Sequence, residues 1–235
     1  HSGDLLSEVP LLSVRRFCRC NGEITVKRIH PTTLTTEEAR KFNYHVRRAR
    51  GELLFAQCWL LGEGETELTV FQEAARILGY DLERYGVRYV EYRASDIEYF
   101  IKVANDLGIE WHCLVDDDQQ GGSDKAKALR HLNGKTEAER VSTLPVDNMD
   151  IYLCTVGFGS LYEPYLTAQL RLRVTVPKTD PQYWKQLYTA IKNSYSKPKV
   201  ALDAIELMRQ QGPAGVPPMI TSTLEKALSL AGWRP

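Results

Sequence analysis

Short apolar runs alternate with segments of helical spacing through the middle of the chain. Four runs are short, apolar and bounded by glycine or polar residues, as buried strands are: residues 58–64, 87–92, 111–115 and 140–146. Between them, residues 67–80, 97–109 and 123–134 repeat apolar positions with the period of a helix. This alternation predicts an α/β fold with a mostly parallel sheet and helices on both faces.

The two ends of the chain follow other patterns. Residues 13–29 predict an N-terminal β-hairpin closed by the turn pair Asn21-Gly22, and a helix is predicted from Thr36 toward Arg50. Beyond residue 153, helices are predicted over residues 180–195, 199–211 and 220–231. We therefore expect a hairpin and helix over residues 1–50, a core over 51–155, and an additional helical subdomain over 156–235 that completes the core.

Bulk composition narrows the class of protein. Hydrophobic residues make up 43% of the 235 positions, and no apolar run reaches the roughly 18 residues of a membrane span. The chain lacks the pattern of a leader peptide, and its start, HSG, is typical of a tag remnant, so we expect a fragment of a longer protein. Five cysteines without zinc spacing favour free thiols in a reducing cytoplasm. A formal net charge of +0 neither indicates nor excludes a nucleic-acid binder.

Carboxylates follow two of the predicted strands directly. Glu63 ends one strand and Glu67 lies one helical turn later, while Asp116 and Asp118 follow a second strand. Side chains two apart in an extended segment point the same way, and ligand groups gather at the carboxyl ends of parallel strands. Helix-dipole complementation or a solvated loop would explain either pair alone. Together they favour a divalent metal site, since carboxylates this close repel one another without a cation.

Several stretches resemble a known family. GEGETE at residues 62–67 resembles the Toprim glutamate motif, and VDDD at 115–118 resembles the Toprim D-x-D motif. EGETE, LGIEWHCLVDDD and SKPKVAL together resemble the carboxyl-terminal Toprim region of OLD-family (overcoming lysogenization defect) nucleases, most closely the class without a neighbouring helicase gene. The similarity extends over residues 35–231, and it implies a Toprim catalytic core over residues 51–155.

The resemblance implies a set of site residues. Two ions, Mg²⁺ or Mn²⁺, are expected on Glu63, Glu67, Asp116 and Asp118, and on the positions of the family's D-I-E motif, which here are Asn148 and Asp150. Both acids of that last motif are changed, which weakens the second ion site. Lys197 matches the family's lysine before proline, so the implied catalytic residues are Lys197, Glu63 and Asp116. A structural role at the start of a helix, with Ser196 as its cap, is the alternative for Lys197.

The resemblance also implies partners. Family members carry an N-terminal ABC-type ATPase domain, and no G-x-x-x-x-G-K-[ST] motif occurs here. We expect that domain to belong to the full-length protein and to support a homo-oligomer, with DNA as substrate and no membrane.

A basic and aromatic stretch lies near the carboxyl terminus. It predicts DNA contacts by five cations: Arg171, Arg173, Lys185, Lys192 and Lys199. The alternative is a solvated helix with its aromatic side chains in the core, which the apolar stripe Tyr183, Leu187 and Ile191 favours for some of them.

Two functions from different classes stay open on the sequence. The first is a metal-dependent DNA endonuclease or nickase that hydrolyses phosphodiesters by a two-metal mechanism. The second is a non-catalytic Toprim module for DNA binding or assembly, which the altered positions 148 and 150 favour. A topoisomerase or primase would need further domains.

Overall fold

The N-terminal part forms a short helix, a hairpin and a longer helix. The computed structural model describes residues 3–20, 22–49, 51–93 and 95–234. Helix α1 spans Gly3–Glu8, strands β1 (Arg16–Cys20) and β2 (Glu23–Lys27) pair antiparallel, and helix α2 spans Thr36–Arg48. The predicted hairpin is confirmed, although Asn21 of its predicted turn lies outside the described residues.

Helix α2 begins with a complete capping box. The Thr35 hydroxyl accepts a hydrogen bond from the Glu38 backbone N–H, and the Glu38 carboxylate accepts one from the Thr35 N–H. These bonds satisfy two donors that a helix start otherwise leaves unpaired, which is why the helix begins where the Thr-Thr-Glu-Glu sequence predicts.

The centre of the molecule is a parallel four-stranded sheet. Its strands are β3 (Cys58–Gly62), β4 (Val87–Glu91), β5 (Glu110–Val115) and β6 (Val141–Thr143), in the order β4-β3-β5-β6. All three pairings are parallel, which confirms the predicted α/β class. Strand β6 is shorter than predicted, because a short helix α6 (Glu137–Arg140) occupies its start and Pro145 cannot donate to a ladder beyond its end.

Besides the short α6, longer helices connect the strands. They are α3 (Glu65–Leu78), α4 (Ile97–Leu107) and α5 (Gln119–Leu129). The predicted helix over residues 123–134 was wrong at both ends, because α5 begins at Gln119 and ends at Leu129. Instead Asp118 caps the helix, its carboxylate accepting from the Gly121 N–H at 2.7 Å.

The C-terminal region is helical, as predicted. It contains α7 (Met149–Leu153), α8 (Ala168–Arg171), α9 (Tyr183–Ile191), α10 (Lys197–Gln211) and α11 (Pro218–Leu230), with irregular turns between α7 and α8. Helix α9 is shorter at both ends than the predicted 180–195. None of the helices in the described ranges combines the length and apolar character needed to cross a bilayer.

The sheet separates two apolar cores. Leu60 faces one core with Phe71 of α3 and residues of α10 and α11, whereas Trp59 and Leu61 face the other, where Phe42 of α2 and Phe100 of α4 pack. Neighbouring residues of a strand point to opposite faces, so each core takes alternate positions of β3. Coverage of both faces leaves the carboxyl edge of the sheet as the place for polar groups.

A buried histidine joins two strands of the sheet. His112 of β5 is 0% exposed. Its Nε2 lies 3.0 Å from the Ser142 hydroxyl of β6 and its Nδ1 lies 2.8 Å from the Glu139 carbonyl oxygen. Burial lowers the pKa of His112 to about 4; the Glu139 carbonyl acts against the shift, and the charges of Lys226 and Arg140 add to it.

This histidine should make the fold acid-sensitive. In the unfolded chain a histidine has a pKa near 6.5. Between that pH and about pH 4, His112 therefore binds a proton in the unfolded state but not in the native state. Stability is therefore complete above pH 6.5 and falls as the pH drops, by up to about 3 kcal/mol.

Urea unfolding of wild type and His112→Gln from about pH 7 to about pH 4.5 measures this contribution. The wild type should lose about 2 to 3 kcal/mol more than the variant over that range. Parallel stability curves for the two proteins would show that His112 does not titrate as its burial predicts.

Candidate active site

The carboxyl ends of β3 and β5 bring the two acidic motifs together. Glu63 follows β3 and Asp116 follows β5, and these strands are direct neighbours. A cavity of about 520 Å³ opens at this edge of the sheet. Lys197 lines this cavity, and so do all the predicted metal ligands, which are Glu63, Glu67, Asp116, Asp118, Asn148 and Asp150. Asp117 is exposed and does not line the cavity.

Two glycines allow the acidic loops to approach each other. A Cβ at Gly64 would lie 2.9 Å from the Glu67 carboxylate, and a Cβ at Gly121 would collide with the backbone carbonyl of Asp116. The Tyr89 hydroxyl donates to the Gly64 carbonyl at 2.7 Å, which holds the turn after β3. Glycine at both positions therefore sets how closely the carboxylates gather.

Burial and mutual repulsion raise the pKa values of two carboxylates in the cavity, Asp116 and Glu67. Burial first, then the charges of Glu63, Glu67 and Asp118, raise the pKa of Asp116 to about 8. Burial also raises the pKa of Glu67, with Asp150 and Glu63 adding to the shift and Lys197 opposing it. The cavity thus holds more negative charge than its own cations balance.

The donor set fits a hard divalent cation. Carboxylate and amide oxygens are the ligands that Mg²⁺ and Mn²⁺ prefer, and such an ion would supply the missing positive charge. Within the described ranges, no three His, Cys, Asp or Glu side chains already stand as a closed ligand set. Binding would therefore require the carboxylates around the cavity to rotate toward a common point.

Three of the predicted ligands, Asp118, Asn148 and Asp150, already have protein partners. The Asn148 side-chain oxygen accepts from the Ile151 N–H at 3.0 Å and caps α7. Asp118 caps α5 in the same way. Asp150 is 5% exposed and accepts a hydrogen bond from the Tyr162 hydroxyl at 3.0 Å. Glu63, Glu67 and Asp116 complete the set of carboxylates that line the cavity.

Lys197 stands opposite the carboxylates at the start of α10. Its Nζ lies 3.4 Å from Asp150 Oδ2. Burial lowers the pKa of Lys197, but Asp150 and Tyr188 outweigh burial and raise the pKa above its ordinary value, with Arg93 acting against them. Lys197 is therefore a cation at neutral pH. Ser196 occupies the cap position of the helix but makes no side-chain capping bond.

The predicted DNA-contacting cations are not part of the cavity lining. All five are exposed. Lys185 pairs with Asp147 at 2.6 Å and Lys199 with Asp203 at 3.6 Å, while Arg171 lies over the Tyr183 ring. Tyr183, Leu187 and Ile191 are buried, which confirms the apolar stripe of α9.

Arg93 is a cavity residue that sequence reasoning missed. It comes two residues after β4 and lines the cavity beside Glu63, and its backbone N–H donates to the Glu63 carbonyl at 3.1 Å. The same rule that selected the acids, a polar residue just beyond a strand end, applies to Arg93. Arg93 was not predicted because the rule was applied to carboxylates only.

Comparison with known families agrees with this geometry. Residues 54–118 match the model for the "Overcoming lysogenization defect protein-like, TOPRIM domain". Residues 54–118 are thus similar to an OLD-like Toprim domain. The predicted resemblance to the carboxyl-terminal Toprim region of the OLD family is confirmed, and a second model, for a protein of unknown function (DUF2813), matches residues 1–52.

Relatives extend the similarity beyond the Toprim segment. The chain is 33% identical over 236 residues to the Escherichia coli (strain K12) protein called "Uncharacterized protein YbjD", covering 100% of this chain and 41% of that protein. The chain thus spans less than half the length of this curated relative.

Solved structures share the fold. The C-terminal region of the Burkholderia pseudomallei OLD protein superposes with a TM-score of 0.55 at 19% identity, over 75% of this chain and 99% of that one. The C-terminal region of the Xanthomonas campestris pv. campestris OLD protein gives 0.55 at 17% identity, over 77% and 97%. At these identities the likeness concerns the fold.

Substitutions at two adjacent glycines of α5, Gly121 and Gly122, test how closely this helix packs against the loop that contains Asp116. A methyl group at Gly121 would collide with the Asp116 backbone, whereas nothing lies within 4 Å of a Cβ at Gly122. Gly121→Ala should lower the free energy of unfolding by about 1 to 3 kcal/mol through overpacking. Gly122→Ala should leave it unchanged or raise it by up to about 1 kcal/mol, the helix-propensity gain.

Urea denaturation of both variants measures the difference. Equal stability of Gly121→Ala and Gly122→Ala would contradict the close approach of α5 to the Asp116 loop.

Proposed function

We propose that this chain is the nuclease region of a longer protein and that it hydrolyses DNA phosphodiester bonds as a divalent-metal-dependent endonuclease or nickase. One observation carries the proposal: Glu63, Glu67 and Asp116 converge in one cavity that also contains the Lys197 ammonium group. The OLD-like Toprim match supports a nuclease-family role.

The ion ligands follow from the cavity. Glu63, Asp116 and Asp118 would hold one Mg²⁺ or Mn²⁺ ion, and Glu67 with Asn148 and Asp150 would hold a second. Bound ions of this kind lower the pKa of water and neutralise a phosphate group. One ligand of the first position, Asp118, has a protein partner, whereas two ligands of the second, Asn148 and Asp150, have one, so the second position is the weaker of the two.

Lys197 supplies the positive charge that the protein itself brings to the reaction. In hydrolysis, a water oxygen bonds to phosphorus, the bond to one ester oxygen breaks, and negative charge builds on that leaving oxygen until it takes up a proton. A fixed ammonium group in a partly buried site stabilises such charge more than water does. Lys197 is the lysine of this cavity, and its raised pKa keeps it protonated.

Asp150 acts on the reaction through Lys197. Its buried carboxylate is held by Tyr162 on one oxygen and lies 3.4 Å from the lysine on the other. The pair orients the ammonium group toward the cavity. Asp150 would thus position the lysine as well as contribute to the second ion position, and its two protein partners make it the less mobile ligand there.

A non-catalytic Toprim module is the second candidate. The observation that favours it is the engagement of Asp118, Asn148 and Asp150 in hydrogen bonds within the protein. In that case the carboxylates would hold an ion that organises DNA binding or assembly without hydrolysis. In the full-length protein, under either function, an N-terminal ABC-type ATPase domain and a homo-oligomer formed through it remain our expectation.

Nicking of supercoiled plasmid in Mg²⁺, Mn²⁺ and Ca²⁺ tests the nuclease directly. Glu63→Gln and Asp116→Asn should each reduce the cleavage rate by about 100-fold or more, because each removes an ionic ligand without changing shape. Lys197→Met should cause a loss of about 100-fold while leaving metal binding intact. Asp117→Asn is the matched control, since Asp117 is the exposed neighbour that does not line the cavity.

Two results would decide against the nuclease. Cleavage that survives both Glu63→Gln and Asp116→Asn would place the activity elsewhere or in a contaminant. Retained DNA binding with no cleavage in any of the ions would favour the non-catalytic module.

A further inference from the structure

A second cavity, strongly basic, adjoins the carboxylate cavity. It has a volume of about 390 Å³ and lies between α2 and the end of β4. The cations that line it are Arg40, Lys41, Arg48 and Arg93, and among its described lining residues Glu91 is the one carboxylate. The acidic cavity and the basic cavity share a single one of these cations, Arg93.

Arg93 stands at the junction of the two cavities. Its backbone is fixed by the hydrogen bond to the Glu63 carbonyl, while its side chain is exposed. Within the described part of the chain, the Arg93 guanidinium has neither a hydrogen bond nor an ion pair. Its positive charge nevertheless acts to lower the pKa of Lys197, which lines the same acidic cavity. Two cations therefore flank the carboxylates, one fixed to Asp150 and one free to bind an incoming anion.

The other cations project from one face of α2. Lys41, Tyr44 and Arg48 recur at helical spacing, which places them side by side. Arg40 and Lys41 share the exposed carboxylate of Glu37, and Arg48 lies 3.8 Å from Glu91. The ion pairs on Glu37 are exposed and contribute little stability, so Arg40 and Lys41 can exchange this partner for phosphates at small cost.

An aromatic ring lies among these cations. Tyr44 lines the basic cavity and is 63% exposed. A cation cluster alone would suit any small anion, but cations interleaved with an exposed aromatic ring suit a nucleic-acid strand, whose phosphates and base faces alternate.

We propose that the basic cavity binds one strand of the DNA beside the carboxylate cavity, with Arg93 on the phosphate at the junction and the α2 cations on the phosphates that follow. The strand position rests on the nuclease function proposed above. This surface differs from the basic stretch that contains Arg171 and Lys199, and it delivers the backbone directly to the carboxylates.

Binding of a fluorescein-labelled single-stranded oligonucleotide, measured by anisotropy in EDTA, tests this path without cleavage. Arg93→Gln and Lys41→Gln should each weaken binding by about tenfold. Each should also reduce the slope of log K against log salt by about 0.7, the value for one lost contact to a single strand.

Arg84→Gln is the matched control for charge. Arg84 is exposed and precedes the start of β4, at the opposite edge of the sheet from Arg93, so its removal changes the net charge equally and should leave affinity nearly unchanged. Tyr44→Ala should weaken binding by about tenfold, whereas Tyr44→Phe should keep it, because stacking needs the ring and not the hydroxyl group.

The possible outcomes distinguish failure of the proposed strand binding from failure of the proposed nuclease activity. If wild type fails to bind the oligonucleotide, or if Arg93→Gln and Lys41→Gln bind like Arg84→Gln, the strand path is overturned, while plasmid nicking can still occur. If inorganic phosphate binds through Arg93 but the oligonucleotide does not, the cavity is a small-anion site and the proposal is also overturned. Binding that depends on Arg93 and Lys41 without any nicking would support the path and contradict the nuclease.

Discussion

Repulsion among carboxylates at one edge of the sheet is the interaction around which this molecule is arranged. Because β3 and β5 are parallel neighbours, their carboxyl ends deliver Glu63 and Asp116 to the same place, and α3 adds Glu67. The pKa of Asp116 rises to about 8 as a result of burial and of these neighbouring charges. Such a site is costly to the fold without a cation, and that cost is the physical argument that the site exists for a ligand.

The residues around the cavity allow the carboxylates to approach and partly balance their charge. Gly64 and Gly121 let the two loops close on the cavity. Two cations line the cavity together with the acids: Lys197, which pairs with Asp150, and Arg93, which also lines the basic cavity beside α2. Positive charge beside a carboxylate cluster suits a phosphodiester with bound metal ions.

Much of this arrangement could be predicted from the sequence because it depends on local patterns. Apolar runs predicted the strands, and the rule that polar groups follow strand ends found Glu63 and Asp116. The Asn148-Met149-Asp150 segment was identified only by its resemblance to a family motif. Its actual hydrogen bonds, to Ile151 and Tyr162, depend on how α7 packs, which periodicity does not contain.

Other features could not be predicted from the sequence for similar reasons. The start of α5 was misplaced since the capping strength of Asp118 outweighed two glycines. Arg93 was overlooked because its significance comes from two cavities meeting at one side chain. The division into residues 1–50, 51–155 and 156–235 stays a prediction, although Phe42 of α2 shares a core with Trp59 of the sheet.

The most direct test of this account is Mn²⁺ binding followed by electron paramagnetic resonance, in which bound ions lose the sharp signal of free Mn²⁺. We predict saturable binding by the wild type, a loss of affinity of at least about tenfold in Asp116→Asn, and wild-type affinity in Asp117→Asn. Absence of saturable binding, or equal binding by Asp116→Asn and wild type, would contradict the claim that the carboxylate cavity is a metal site.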